Sequence, residues 1–242
     1  MKTYQVSLRE RRSAAENTPL LVFDKPAGFD FQAGQFVILQ IPSPAFTDER
    51  GDKRPLSIAS APSDDFLEFS WRKSPSAFKR SAECLAVGDP VLLTGPCGPM
   101  HLPPEETPAV FFAGGIGITP VRSMLREEAA RGSRRPVSLF YSNRDRQSAP
   151  FLSEMEELCA KLKGELISVF TDDGTDPRLI DAEFIARNLS SQNRKNAWFF
   201  LSGTAGFVEA MRRALLSLSI EEKRIFSDSF GSPPAAEKGT CS

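Results

Sequence analysis

The 242-residue chain holds one histidine, His101, and four cysteines, none of them in a C-x-x-C pair. A lone histidine has no second imidazole with which to share a metal, so His101 reads as a loop residue and no metal site is expected. Cys84, Cys97, Cys159 and Cys241 also lack the C-x4-C-x2-C spacing of a plant-type 2Fe–2S ligand set. A disulfide framework is not expected in a reducing compartment, and Cys84 and Cys159 read as small apolar fillers. An excess of one charge is missing too. There are 30 basic and 31 acidic residues, a formal net charge of −1, which leaves no global pull toward nucleic acid or an anionic membrane. No apolar run reaches the length of a membrane span, and the opening MKTYQVSLRERR lacks the apolar core of a secretory signal. A cytoplasmic protein without membrane insertion is therefore expected. Repeats and low-complexity tracts are absent apart from the polar tail 231–242, whose composition favours disorder.

What is present falls into two halves with different periods. From residue 109 onward, short apolar runs alternate with amphipathic helical stretches. Ala109–Ala113, Val137–Tyr141, Ile167–Thr171 and Trp198–Leu201 read as strands buried on both faces. Between them, Val121, Met124, Leu125 and Ala129 form one helical stripe that starts near Pro120 and ends at Gly132. Leu152, Met155, Cys159 and Leu162 form a second, stopping at Gly164. A shorter helix covers Asp181 to Leu189, and a last one carries Phe207, Met211 and Leu215. This order predicts a parallel sheet with helices on both sides.

The first hundred residues carry period two instead. Leu67, Phe69 and Trp71 alternate with Glu68, Ser70 and Arg72, the pattern of a half-buried strand. Similar strands are expected at Gln5–Leu8, Leu20–Phe23, Gln35–Ile41, Pro55–Ala59 and Val91–Thr94, with one helix at Ala77–Leu85. Turns at Gly28, Gly34, Gly88 and Gly95 punctuate them, which predicts a small antiparallel β-barrel. The expected division is a barrel over 1–103, an α/β nucleotide-binding unit over 104–230, and the tail.

Between the first buried strand of the second half and its helix stands Gly114-Gly115-Ile116-Gly117-Ile118-Thr119-Pro120. Glycines at such a βα turn let a pyrophosphate approach backbone N–H groups at a helix N-terminus. Thr119 is a candidate helix cap, and Pro120 lacks the N–H that would be orphaned there.

G-G-x-G-I-T-P after a buried strand, downstream of a barrel containing Arg54-Pro55-Leu56-Ser57, resembles the ferredoxin–NADP+ reductase superfamily of flavoproteins. The resemblance runs through FQAGQFVILQIP, GDPVLLTGPCG, LFYSNR, LSGTAGFVEAMRRAL and RIFSDSF, so it spans nearly the whole chain. It implies FAD on the barrel, NADPH or NADH on the α/β unit, and conversion of hydride transfer into single-electron steps. A separate electron carrier such as ferredoxin or flavodoxin is the implied partner. Other readings are a flavin or dye reductase, a reductase subunit of a larger complex, or a flavin-binding module without turnover.

The resemblance implies site residues as well. Arg54 is a candidate phosphate contact, with a surface ion pair to Asp48, Glu49 or Asp52 as its other reading. Pro55 and Leu56 line the flavin, Leu56 standing where the family more usually has tyrosine. Ser57 is similar to the serine that hydrogen-bonds the flavin near N5. Where many members carry G-x-x-S/T for the diphosphate, this chain has Ser76-Ala77-Phe78-Lys79. Ser76 is expected to cap the helix, leaving the Ala77 and Phe78 amides and Lys79 for phosphate. Phe78 also reads as core. Arg72 contacts the flavin through its backbone or is a solvated strand residue. Around the nicotinamide the family's C-G-P and acid-x-aromatic motifs correspond to Ser202-Gly203-Thr204 and Asp228-Ser229-Phe230. Ser202 and Asp228 are the catalytic candidates beside Ser57, with Phe230 a shield for the flavin face or a core residue. Ser142 and Arg144, after the second strand, lean toward the 2′-phosphate of NADPH. Arg122, Arg126, Arg131, Arg134 and Arg135 are either a docking patch for an acidic carrier or a solvated helix face.

Overall fold

The protein's structure, a computed structural model, describes residues 1–172 and 179–230. The tail 231–242, with Cys241, lies outside the described residues. The first half contains β1 (Lys2–Ala15), β2 (Thr18–Asp24), β3 (Phe36–Gln40), β4 (Lys53–Ser57), β5 (Phe66–Ser70), α1 (Ala77–Cys84) and β6 (Pro90–Cys97). Its six strands pair antiparallel in the order β4-β3-β6-β1-β2-β5. The sheet encloses Phe23, Leu39, Leu67, Phe69, Val91 and Leu93, with Phe78 of α1 closing the core. Burying one such side chain is worth roughly 1.5–3 kcal/mol.

β4 begins two residues before the expected Pro55 and ends at Ser57, and β1 and β5 depart further from the sequence reading. β1 is longer than Gln5–Leu8 because its two ends serve different partners, Lys2–Ser7 pairing with β6 and Leu8–Ala15 with β2. Its charged outer stretch, Arg9 to Arg12, hides that role from any apolar pattern. β5 is covered on both faces, since Glu68 is only 1% exposed. Arginines from neighbouring elements supply the second cover.

The second half contains β7 (Ala109–Gly114), α2 (Ile118–Ala130), β8 (Val137–Asn143), α3 (Leu152–Lys161), β9 (Glu165–Phe170), α4 (Ala182–Asn188), α5 (Ser191–Asn196), β10 (Trp198–Thr204), α6 (Ala205–Ser217) and β11 (Ile225–Phe230). The strands run parallel in the order β11-β10-β7-β8-β9. Alternation sends Phe111, Leu139, Tyr141 and Phe200 toward α2 and α3. Phe112, Phe140, Phe199 and Leu201 face α4 and α6. Phe112 and Phe140 stack at 4.7 Å, so the expected three-layer packing is met by interleaved aromatics.

Glycines end elements here for more than one reason. Gly132 follows α2 in the left-handed region at φ +64°. At the end of α3, Lys163 takes that conformation instead, at φ +54°. Gly164 serves a close approach, because a Cβ there would lie 2.7 Å from the Val137 carbonyl oxygen. Cys159 is buried as expected, whereas Cys84 is exposed at the end of α1 and fills no core. Among the described residues no helix is long and apolar enough to cross a membrane.

Candidate functional site

The strand order creates a switch point. The chain leaves β7 for β8 on one side and later returns to β10 on the other. Ligands of such sheets bind beyond the carboxyl ends of the strands at that place. The register brings Ala113, Ser202 and Asp228 level across β7, β10 and β11. The glycine turn sits directly above them as a 3-10 turn, Gly115–Gly117, leading into α2.

The three glycines of that turn do different work. Gly114 packs under Phe207, whose ring would lie 3.0 Å from an added Cβ. Gly115 takes φ +54°, and its nearest neighbour would be Arg72 Nη2 at 3.7 Å, so this position stays open. Gly117 is buried, and an added Cβ would lie 2.2 Å from the Ser202 carbonyl oxygen. Gly117 therefore serves helix-to-strand packing. The Tyr141 hydroxyl, buried beneath the turn, donates to the Pro150 carbonyl at 2.8 Å. Burial raises its pKa, which keeps it a neutral donor. Thr119 does not cap α2. It sits within the first turn and donates to the Ile116 carbonyl at 3.0 Å, because the helix begins at Ile118, two residues before the start a Thr119 cap would set. Pro120 is buried in the same turn.

A cleft of about 990 Å³ opens over this turn, at the upper end of small-molecule pockets. Gly114, Gly115, Ser142, Arg144, Gly203 and Phe230 line it from the α/β side, and Arg72 lines it from the barrel. Seven expected site residues are thus gathered from widely separated segments. Lys73, Arg80 of α1 and the β1–β2 turn Glu16–Asn17 also line it. The sequence reading missed them because they belong to no motif. The Arg72 side chain, expected to be solvated or to act through its backbone, spans the two halves. It donates to Thr18 Oγ1 at 2.8 Å and to the Ser148 carbonyl at 2.5 Å.

Three catalytic candidates converge without lining that cleft. Ser57, at the end of β4, donates to Asp228 of β11 at 3.3 Å across 171 positions of sequence. Burial raises the Asp228 carboxyl above its ordinary value, and the Ser57 hydrogen bond offsets part of that rise. Ser202 is level with Asp228 in the sheet and wholly buried. Its hydroxyl has no hydrogen-bond partner among the described residues.

The flavin-motif arginine lies in a second, cationic cluster. Arg54 Nη1 donates to the carbonyls of Arg50, Gly51 and Lys53 at 2.8, 3.1 and 2.6 Å. Its guanidinium lies 5.3 Å from the Phe78 ring, and Nη2 is 3.5 Å from Asp48 Oδ1. Lys79 donates to the Arg72 carbonyl at 2.9 Å. Burial depresses its ammonium, and Arg50 and Arg54 press it down further. Ser76 precedes α1 but makes no capping bond, which corrects the sequence expectation. Asp48 takes that role, accepting from the Ala77 amide at 3.1 Å. Both Ala77 and Phe78 are buried. Pro55 is exposed on β4, while Leu56 is half-buried against the barrel core.

Of the five arginines, Arg122, Arg126 and Arg135 are neither a docking patch nor a solvated face, whereas Arg131 and Arg134 are exposed. Arg122 is 4% exposed and reaches Glu68 of the barrel at 2.5 Å, the Ala59 carbonyl at 2.8 Å and Glu154 at 2.7 Å. Arg126 bridges Glu154 at 2.8 Å and Asp64 at 2.9 Å. Arg135, 2% exposed, is tied to Glu128 at 2.9 Å and to the Thr107 and Pro103 carbonyls. Their charges are spent on internal partners that no local pattern reveals.

An antiparallel barrel followed by a parallel sheet with a glycine-lined switch point defines a two-domain, dinucleotide-binding oxidoreductase fold. Comparison with known proteins agrees. Residues 111–213 match the oxidoreductase NAD-binding domain family. The propane 2-monooxygenase reductase component of Mycolicibacterium goodii is 32% identical over 223 residues, covering 86% of this chain and 62% of that protein. The flavohemoprotein of Deinococcus radiodurans is 29% identical, over 83% of this chain and 52% of its own length. The flavohem-like FAD/NAD-binding domain of nitric oxide dioxygenase from Vibrio cholerae superposes with a TM-score of 0.80 at 22% identity, over 94% of this chain and 98% of that one. The chain has the two-domain fold of ferredoxin–NADP+ reductase-like proteins. It spans between half and two thirds of the length of these two curated relatives.

Proposed function

We propose that the chain is an FAD-dependent NAD(P)H oxidoreductase, moving hydride between nicotinamide and flavin and single electrons to or from a separate carrier such as ferredoxin or flavodoxin. The observation that carries this reading is the meeting of Ser57 and Asp228 at 3.3 Å. It joins the R-P-L-S motif of the barrel to the last strand of the nucleotide sheet, beside the glycine turn.

The residues present fit both cofactors. The open Gly115 position and the cleft over it suit a nucleotide approaching backbone amides. Arg50, Arg54 and Lys79, held together despite their mutual repulsion, suit a diphosphate. FAD supplies the passage between two-electron and one-electron chemistry. Ser57 holds the Asp228 carboxyl at the seam and brings its hydroxyl from within the R-P-L-S motif. Ser202 brings an orphaned buried hydroxyl to the same level of the sheet. Phe230, at the rim of the cleft, excludes water from the reacting faces. None of these groups has to act as a nucleophile, so catalysis is positioning and electrostatics.

Ser142 and Arg144 line the cleft where the second strand ends, which supports a preference for NADPH. The two units divide at residues 103/104, a boundary supported by the stretch without helix or strand between β6 and β7. A cytoplasmic location goes with this reading. A second reading, a reductase component of a multi-component oxygenase system, is favoured by the match to the propane monooxygenase reductase component.

The test is spectroscopic. Purified protein should carry flavin absorbance that bleaches anaerobically with NADPH, and should then reduce cytochrome c faster when a competent ferredoxin or flavodoxin is added. Flavin that stays oxidised with NADPH and NADH alike would leave only a binding module.

A further inference from the structure

The connection between β3 and β4 is tied down against the middle of α1. The Phe46 amide donates to Ser81 Oγ at 2.8 Å, and that hydroxyl donates back to the Phe46 carbonyl at 2.9 Å. Arg80 lies over the Phe46 ring at 3.7 Å. Two residues further on, Asp48 turns its carboxylate into the cationic cluster. One oxygen accepts from the Ala77 amide at 3.1 Å. The other accepts from the Arg50 amide at 2.9 Å and faces Arg54 Nη2 at 3.5 Å. These backbone bonds and the Arg54 guanidinium hold the carboxyl below its ordinary range, so it is an anion at neutral pH.

Two of those donors, the first amide of α1 and Arg54, are the ones the flavin reading gives to a diphosphate. A second feature points the same way. Arg50 and Arg54 both press on the Lys79 ammonium, while two carboxylates offset the three cations, Asp48 facing Arg54 and Glu83 acting on Lys79. Two negative charges still undercompensate three cations, and a diphosphate would balance them better. Asp48 and a diphosphate cannot occupy the Ala77 amide and Arg54 Nη2 together.

We infer that Asp48 is an internal competitor for the flavin diphosphate: its carboxylate holds the diphosphate donors in place and must swing away when FAD binds. This inference rests on the flavin reading above. It makes Asp48 a residue that sets flavin affinity and exchange, with the Phe46–Ser81 tie as the fixed end of the moving segment. The competition is specific to the diphosphate portion of the ligand and leaves the ring portion untouched.

The experiment titrates FAD and riboflavin separately into the deflavinated full-length chain, following quenching of flavin fluorescence. Parent, Asp48→Asn, Asp48→Ala and Arg54→Ala chains are compared. Asparagine can still cap the Ala77 amide, so Asp48→Asn removes the charge and spares the helix. The expected result is FAD bound about tenfold more tightly by Asp48→Asn, with riboflavin affinity unchanged. Asp48→Ala should move the same way by a smaller factor. FAD affinity that is unchanged or weakened in Asp48→Asn overturns the inference, as does an equal gain for riboflavin. Arg54→Ala separates the two layers. If it weakens FAD while Asp48→Asn does nothing, only the competition fails. If it leaves FAD affinity untouched, the flavin assignment of this cluster fails with it.

Discussion

The barrel and the nucleotide unit meet in two places of opposite character. Around Arg122 the seam is dry and dense. Arg122 and Glu68 are 4% and 1% exposed, Ser123 donates to the Ser60 carbonyl at 2.6 Å, and Arg12 adds a further ion pair to Glu68 at 3.5 Å. Around the cleft the seam is more open and polar, held by Arg72 reaching Ser148, by the Glu16 amide donating to the Gln147 carbonyl at 3.3 Å and the Phe151 amide to the Ala14 carbonyl at 3.1 Å, with the Ser57–Asp228 bond nearby. A buried ion pair adds little net stability over an apolar pair, because desolvation offsets the attraction. Removing one partner is another matter, since it strands a charge. The Arg122 cluster thus fixes the relation of the two halves, and the cleft is left with weak contacts that a bound nucleotide can replace.

That contrast gives an ordered set of expectations. Arg122→Met leaves Glu68 with only the more distant Arg12, and should cost about 3–5 kcal/mol in urea unfolding. A cost below 1 kcal/mol would mean that the two seams do not differ. Gly117→Ala forces a Cβ against the Ser202 carbonyl, where the neighbour is backbone and cannot yield cheaply. It should cost roughly 1–3 kcal/mol or more and weaken flavin retention together with nicotinamide binding. A raised KM for nicotinamide with normal stability would instead return Gly117 to a ligand-facing role.

Ser57→Ala should cost only about 0.5–1.5 kcal/mol, the worth of one hydrogen bond. It should also move the Asp228 titration further upward, which a carboxyl-resolved NMR titration reads. The sign of the Asp228 effect follows from its raised folded value. The stability it allows is complete below the unfolded carboxylate pKa of about 4, and part is lost as pH rises through the folded value. Asp228→Asn removes that loss, so melting temperature against pH should show the variant gaining on the parent above the carboxylate range. The smallest effect on folding belongs to Arg144→Ala, within about 0.5 kcal/mol because the side chain is exposed. Its readout is specificity: kcat/KM for NADPH should fall about tenfold while that for NADH holds. A strong preference of the parent for NADH would remove the role given to Arg144.

The candidate site was legible in pieces rather than as a site. The glycine turn, Arg54-Pro55-Leu56-Ser57 and Asp228-Ser229-Phe230 each carry a local signature, and the cleft gathers most of the nicotinamide-side residues. Ser76 and Thr119 read as caps because their residue type favours capping. They fail because Asp48 reaches the Ala77 amide first, and because α2 starts at Ile118. Asp48 had a signal in the sequence, as a possible ion-pair partner of Arg54, but nothing there placed it on α1. Arg122 and Arg126 were the largest misreading. Their spacing resembles a charged surface stripe, and only the acids of other elements, Glu68, Asp64 and Glu154, draw them inward.

By itself the sequence determined the two architectures and their order. Period two and turn residues specify an antiparallel sheet, and apolar runs alternating with helical stripes specify a parallel one, since both signals are local. It also determined that the chain carries a glycine-rich turn after the first strand of its second half. Tertiary structure alone decided which charges are buried, which glycines stay open rather than meet backbone, and that Ser57 meets Asp228. Those outcomes depend on the partners supplied by distant segments, and a desolvated charge or a bare Cα is defined only by what lies against it.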